Sequence, residues 1–200
     1  MKHIRVAVTG GIGSGKSLVG EYFFQAGYPV LKADNIAKDL MQTDSGLKKK
    51  IISEFGSDSY NGDLLNTKYL AANVFSDPEK LEKINSIVHP ATIKMIEQET
   101  RKLFNEHKIV FVESALVFEA KIRKMFDYII LVTAEEKTRI ERIVKRDHIA
   151  EEKVTERIKF QIEDEKKKQL CDFVIDNDAP KAEIGDKCKF VLQILKSFVG

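Results

Sequence analysis

Charge of a single sign, cysteine, long apolar runs and flexible linkers are all scarce in this sequence. Thirty-three Lys and Arg face 31 Asp and Glu, a formal net charge of +2. So near a balance offers no global field to a nucleic acid or an anionic membrane, and any basic site must be local. Cys171 and Cys188 are the only cysteines and form no CxxC pair. They are expected to be small, reduced, buried side chains rather than a disulfide or a metal pair. No run reaches the ~18 apolar residues that a membrane span needs. The apolar stretch Ile4 to Thr9 is too short for a signal-peptide core and runs straight into a glycine loop. His3, His107 and His148 lack metal-ligand spacing and are expected to be solvated. The expectation is a cytoplasmic monomer or small homo-oligomer with no nucleic-acid or membrane partner.

What is present is a core-forming chain: 43% of its 200 residues are hydrophobic, enough to exclude disorder. Four β-rich apolar runs stand out, Ile4 to Thr9, Tyr28 to Leu31, Ile109 to Glu113 and Tyr128 to Thr133, with a shorter one at Phe173 to Asp176. Their apolar character is continuous rather than alternating, which implies a sheet covered on both faces. Helical patterns lie between them, so the predicted class is α/β, a doubly wound parallel sheet. Gly27 is expected to end the first helix, Thr133 to Glu136 to form a capping box, and Asp77-Pro78 to open a helix. A last helix is expected over Lys181 to Phe198. Phe23, Phe24, Phe104, Phe190 and Phe198 are expected in the core, and the lysine runs 48–50 and 166–168 on solvated faces. The interval from Asn35 to His107 is helical by pattern and holds no convincing strand. It is too long for a crossover helix, so it reads as an inserted helical lobe over residues 35–107. The core then comprises about 1–34, 108–134 and 170–200, with a helical lid over about 135–169.

Gly10-Gly11-Ile12-Gly13-Ser14-Gly15-Lys16-Ser17 satisfies G-x-x-x-x-G-K-[ST] in full, with a strand before it and an amphipathic helix after it. Glycines let successive N–H groups converge on phosphate oxygens, and the helix N-terminus adds the positive end of a dipole. Lys16 would reach the β- and γ-phosphates and Ser17 would ligate Mg²⁺ directly. No Asn-Lys-x-Asp guanine-reading motif occurs. Small size, an inserted lobe and a late arginine cluster favour a small-metabolite kinase with the P-loop kinase fold. A nucleoside or nucleoside-monophosphate kinase and a non-catalytic ATP-binding module remain alternatives at this point.

Further motifs follow in order. Val8 to Ser17 is continued by Leu18 where a threonine is usual, and Leu31 to Ala37 resembles Asp-Ala-Asp-x-Ile-Ala, with Lys32 for the first Asp and Asp34 for the second. Asn73-Val74-Phe75, Leu81, Ile84 and Ile87-Val88-His89-Pro90 resemble a Val-Phe and His-Pro signature, and Thr67 stands where an arginine is frequent. Glu113 to Glu119 resembles an acidic residue followed by Pro-Leu-Leu-x-Glu, with Ala115 for the proline. Arg142, Lys145-Arg146-Asp147, Arg157-Ile158 and Gln161 resemble a lid, and Asp176-Asn177 a late Asp-Asn pair. Together these resemble the dephospho-CoA kinase family over nearly the whole chain.

That resemblance implies phosphoryl transfer from ATP to the ribose 3′-hydroxyl of dephospho-CoA, with Mg²⁺ as cofactor. It implies ATP binding by Gly11, Gly13, Ser14, Gly15, Lys16, Ser17 and Leu18, by Arg142 and Arg146 of the lid, and by Asn177 near the adenine. Asp34, Lys16 and Arg146 are the catalytic candidates, and Asp34 and His89 the acceptor contacts. Asp34 follows a strand, where a carboxylate would take the proton of the attacking hydroxyl, or it would merely cap the next helix. Glu113 at a strand end would reach Mg²⁺ through a water, or stand as a surface glutamate. Arg142 and Arg146 share a helix face and suit the charge of a transferring phosphoryl group, or form surface ion pairs. His89 would bond substrate or cap the helix after Pro90.

Overall fold

The computed structural model describes residues 2–74, 77–178 and 180–200. The chain divides into two compact units, residues 1–32 with 100–200, and residues 33–99. The first unit holds a five-stranded sheet with helices. Its strands are β1 (Ile4–Thr9), β2 (Val30–Lys32), β5 (Ile109–Glu113), β6 (Tyr128–Thr133) and β7 (Phe173–Asp176), ordered β2-β5-β1-β6-β7 with every neighbouring pair parallel. Helices of this unit are α1 (Lys16–Gln25), α6 (Glu136–Asp147), α7 (Glu151–Lys159), α8 (Asp164–Lys168) and α9 (Lys181–Ser197). From β1 the chain leads to β2 on one side, while β6 lies on the other, so the order reverses at the carboxyl end of β1. Open α/β sheets bind ligands at that crevice.

The continuous apolar runs become strands because both faces are covered. On one face Val6, Val8, Phe111, Ile130 and Val132 are buried with Val19 and Phe23 of α1 and with Ile184, Cys188 and Leu195 of α9, and on the other Ala7, Val110, Val112, Ile129 and Leu131 are buried as well. Phe23 stacks on Phe111 with centroids 4.1 Å apart. Helix α1 ends in a Schellman motif. Gly27 adopts φ +89°, its N–H donates to Phe24 O, and the Tyr28 N–H donates to Phe23 O. That motif, followed by Pro29 with no N–H, delays β2 to Val30, two residues later than the apolar run begins.

The second unit contains α2 (Ala33–Thr43), α3 (Ser45–Phe55), α4 (Thr67–Val74) and most of α5 (Pro78–Leu103). Its core gathers Ile51, Phe55, Tyr60, Leu70, Val74 and Val88. It also holds a short hairpin, β3 (Tyr60–Asn61) against β4 (Leu64–Leu65), where the sequence reading expected no strand. Gly62, at φ +62°, supplies the tight turn.

The capping box at Thr133 is not formed, because Thr133 stays in the β6 ladder, paired with Asp176, and α6 begins only at Glu136. Asp77 does cap α5, accepting from the N–H groups of Glu79 and Lys80. His89 caps nothing: α5 continues through Pro90, which costs one ladder bond while Val88 stays buried beside it. Phe24 and Phe190 are 62% and 63% exposed. The buried stripe of α1 passes through Val19 and Phe23, and Phe24 is a further ~100° around the helix. The lysine run at 166–168 is not wholly solvated, since Lys167 is 0% exposed. Phe75 of the Val-Phe pair lies outside the described residues.

Candidate active site

The glycine loop leaves the carboxyl end of β1 and delivers the chain into α1. Gly15 is the N-cap of α1 at φ +94°, and no side chain caps that helix end. A bare helix N-terminus presents backbone donors and a positive dipole end, which suits phosphate. Lys16 folds back across the loop, its Nζ donating to Gly10 O at 3.0 Å and Gly11 O at 3.1 Å. Both are neutral carbonyl acceptors, weaker partners for an ammonium than an anion would be.

Ser17 and Glu113, far apart in sequence, meet directly. Ser17 Oγ donates to Glu113 Oε1 at 2.6 Å, and Glu113 Oε2 is buried with no hydrogen-bond partner among the described residues. Glu113 is brought there by β5, whose last residue pairs with Val8 of β1 and Lys32 of β2. A hydroxyl beside a carboxylate with a buried, unsatisfied oxygen is a hard, all-oxygen donor set, the kind Mg²⁺ prefers. The residues present therefore fit the ion that the sequence implies.

Asn177 is buried, and its Nδ2 donates to Ser14 O at 2.7 Å. The structure thus places this side chain against the loop itself. Arg142 reaches across to the same region, donating to Asn177 O at 2.8 Å and Gly13 O at 3.5 Å. Arg146 does not join it. Its guanidinium is exposed and grips Asp147 through two hydrogen bonds, Nε to Oδ1 at 2.7 Å and NH2 to Oδ2 at 2.9 Å. That pairing holds the Asp147 carboxyl below its ordinary value. The two arginines share α6 but have different partners.

Asp34 lies in the first turn of α2, which begins one residue earlier at Ala33, so it is not that helix's cap. Its side chain is exposed, and no hydrogen bond or ion pair to it occurs among the described residues. His89 is half-buried within α5, and burial lowers its pKa. Leu18 is half-buried in the first turn of α1, packed on the core. No cluster of three or more metal-ligating side chains occurs among the described residues.

The sequence reading passed over Arg139. It is buried on α6, donates from Nε to Ile12 O at 2.9 Å, and pairs through NH1 with Asp164 Oδ2 at 3.2 Å. Its closeness dictates two glycines of the loop. A Cβ on Gly11 would fall 2.2 Å from the Arg139 guanidinium, and one on Gly13 would fall 2.5 Å from its carbonyl oxygen. A signal was available, since Arg139 sits four residues before the apolar Ile143 on the same helical stripe. The buried pair of Lys167 with Glu119 at 3.0 Å was equally unforeseen.

Comparison with known proteins decides the affiliation. The sequence model of the dephospho-CoA kinase family matches residues 4–183. The chain belongs to the dephospho-CoA kinase family. A dephospho-CoA kinase of Lactobacillus acidophilus is 34% identical over 194 residues, covering 96% of each chain. A crystal structure of a Thermus thermophilus protein superposes with a TM-score of 0.81 at 30% identity, covering all of both chains. The dephospho-CoA kinase of Campylobacter jejuni superposes with a TM-score of 0.71 at 27% identity over 96% of each. Membership accords with the parallel sheet and the glycine loop at its switch point, the P-loop kinase fold.

Proposed function

We propose that this chain transfers the γ-phosphoryl group of ATP to the ribose 3′-hydroxyl of dephospho-CoA, giving coenzyme A and ADP, in the cytoplasm. This would be the last step of coenzyme A synthesis. Family membership over residues 4–183 is the observation that carries the reading. No described helix is long and apolar enough to cross a membrane.

In this reading the loop from Gly11 to Leu18 cradles the ATP phosphates, with backbone N–H groups as donors and Lys16 following the β- and γ-oxygens. Ser17 and Glu113 would hold Mg²⁺, Ser17 directly and Glu113 through water, and the ion when bound supplies positive charge to the phosphate oxygens. Arg142 stiffens the loop from the lid side through Gly13 and Asn177. Arg146 is the guanidinium available to the developing charge on the transferring group, given up by Asp147 when a stronger anion arrives. Asp34 orients the acceptor hydroxyl and takes its proton as the ribose oxygen bonds to the γ-phosphorus and the β–γ bridging bond breaks. The inserted helical segment, about residues 35–107, serves as the acceptor lobe, with His89 a contact for the substrate, and about residues 135–169 serve as the lid.

The decisive test is Asp34→Asn with dephospho-CoA as acceptor. The substitution keeps shape and hydrogen bonding but removes the base, so single-turnover rates should fall by roughly 10²–10⁴-fold while ATP affinity barely changes. Near-wild-type turnover would remove Asp34 from the chemistry. Phosphorylation of nucleosides or nucleoside monophosphates in preference to dephospho-CoA would overturn the acceptor.

A further inference from the structure

The crest of the phosphate loop is held by residues outside it. The Ile12 N–H donates to Gln161 Oε1 at 2.8 Å, and the Ile12 carbonyl accepts from Arg139 Nε at 2.9 Å. Gln161 lies just beyond α7, where the lid segment turns towards α8. That turn is itself fastened: the Ile162 N–H donates to Glu119 Oε1 at 3.2 Å, the fully buried Lys167 pairs with Glu119 at 3.0 Å, and Asp164 pairs with Arg139 at 3.2 Å. Residues 161–167 are therefore tied both to the loop and to the segment that follows β5.

The consequence follows from peptide geometry. The N–H of Ile12 and the carbonyl of Gly11 belong to one trans peptide and point in opposite directions. With the N–H turned to Gln161, the Gly11 carbonyl is turned to accept from Lys16 Nζ and from the Ser14 N–H, both at 3.1 Å. The next peptide is oriented in the same way, since Arg139 holds the Ile12 carbonyl and so aims the Gly13 N–H. Glycine on either side of Ile12 leaves both planes free to rotate without such holds. Catalysis by electrostatic preorganisation needs donors that do not reorganise when charge arrives.

We propose that Gln161 is a positioning residue. It couples the end of α7 to the phosphate loop by fixing the Gly11–Ile12 peptide, so that the loop, with Lys16 on the Gly11 carbonyl, is held ready for the phosphates while the lid turn is seated. Neither Gln161 nor Arg139 touches the reacting atoms in this scheme. The proposal rests on residues 10–17 being the ATP cradle.

The experiment compares Gln161→Met, which keeps length and loses the oxygen, with Gln161→Glu, which keeps an oxygen at the same reach. In the nucleotide-free enzyme, Gln161→Met should speed hydrogen exchange of the Ile12 amide by about 5–10-fold, the scale of one hydrogen bond, and Gln161→Glu should leave it slow. Gln161→Met should also lower kcat/KM for ATP by about 5–10-fold, with KM for dephospho-CoA unchanged. Wild-type kinetics in Gln161→Met, or equally fast exchange in both variants, would overturn the proposal, even if thermal stability fell. Lys16→Ala separates the two levels. Full turnover in that variant removes the cradle assignment, whereas its loss beside an unaffected Gln161→Met removes the coupling alone.

Discussion

Gly15 and Gly27 both adopt left-handed backbone, at φ +94° and +89°, but their surroundings differ. A Cβ on Gly27 meets nothing within 4 Å, while one on Gly15 would fall 1.9 Å from Asn177 Nδ2. Gly27→Ala should therefore cost only the backbone penalty of about 1–2 kcal/mol and leave activity intact. Gly15→Ala should cost about 1 kcal/mol more, because it also displaces the Asn177 bond to Ser14, and it should weaken ATP binding. Denaturant melts and ATP titrations of both variants check this, and equal losses would show that Asn177 moves aside freely. The roles open to Lys16, Ser17 and Gly15 were readable from spacing, since a phosphate loop is written in consecutive residues. Arg139 was only hinted at by the stripe it shares with Ile143, because its burial depends on how closely α6 approaches the loop.

Helix α8 shows how a charge run misleads. Lys166 and Lys168 make exposed pairs with Glu163 and Glu165, while Lys167 between them is wholly buried against Glu119. Five residues give too little periodicity to tell the inner lysine from its neighbours. Removing one member of a buried pair strands the other, so Lys167→Met should destabilise by about 3–5 kcal/mol. The double variant Lys167→Met with Glu119→Met should recover most of that, since apolar replacements avoid the desolvation cost. Chemical denaturation of the single and double variants measures the difference, and a double variant as unstable as the single would show that the Glu119 bond to Ile162 dominates. Helix α5 departs from its sequence signals differently. Pro90 looks like a break, yet the ladder continues past it because packing around Val88 outweighs one missing bond.

For the molecule as a whole, the two thiols carry a stability signature. Burial pushes the Cys188 thiol from 9.0 to about 11, and burial followed by the neighbouring Asp172 pushes Cys171 up to about 12. Both favour the neutral form in the folded state, so their contribution is fully present below pH 9 and is lost as pH rises through those raised values. Thermal melts between neutral pH and pH 11 should show this decline, reduced in Cys188→Ala, and native protein should resist thiol alkylation at pH 8. Rapid alkylation of Cys188 at pH 8 would contradict its burial. By itself the sequence determined the parallel sheet, because strands covered on both faces must be apolar throughout, and four of its five strands begin and end where the apolar runs do. It also determined the phosphate loop, whose residues are contiguous. Tertiary structure alone decided the Ser17–Glu113 contact, the grip of Arg142 on Asn177 and the hold of Gln161 on Ile12. These partners are separated by 96, 35 and 149 positions, and only the register of parallel strands and the seating of α6 to α8 brings them within a hydrogen bond.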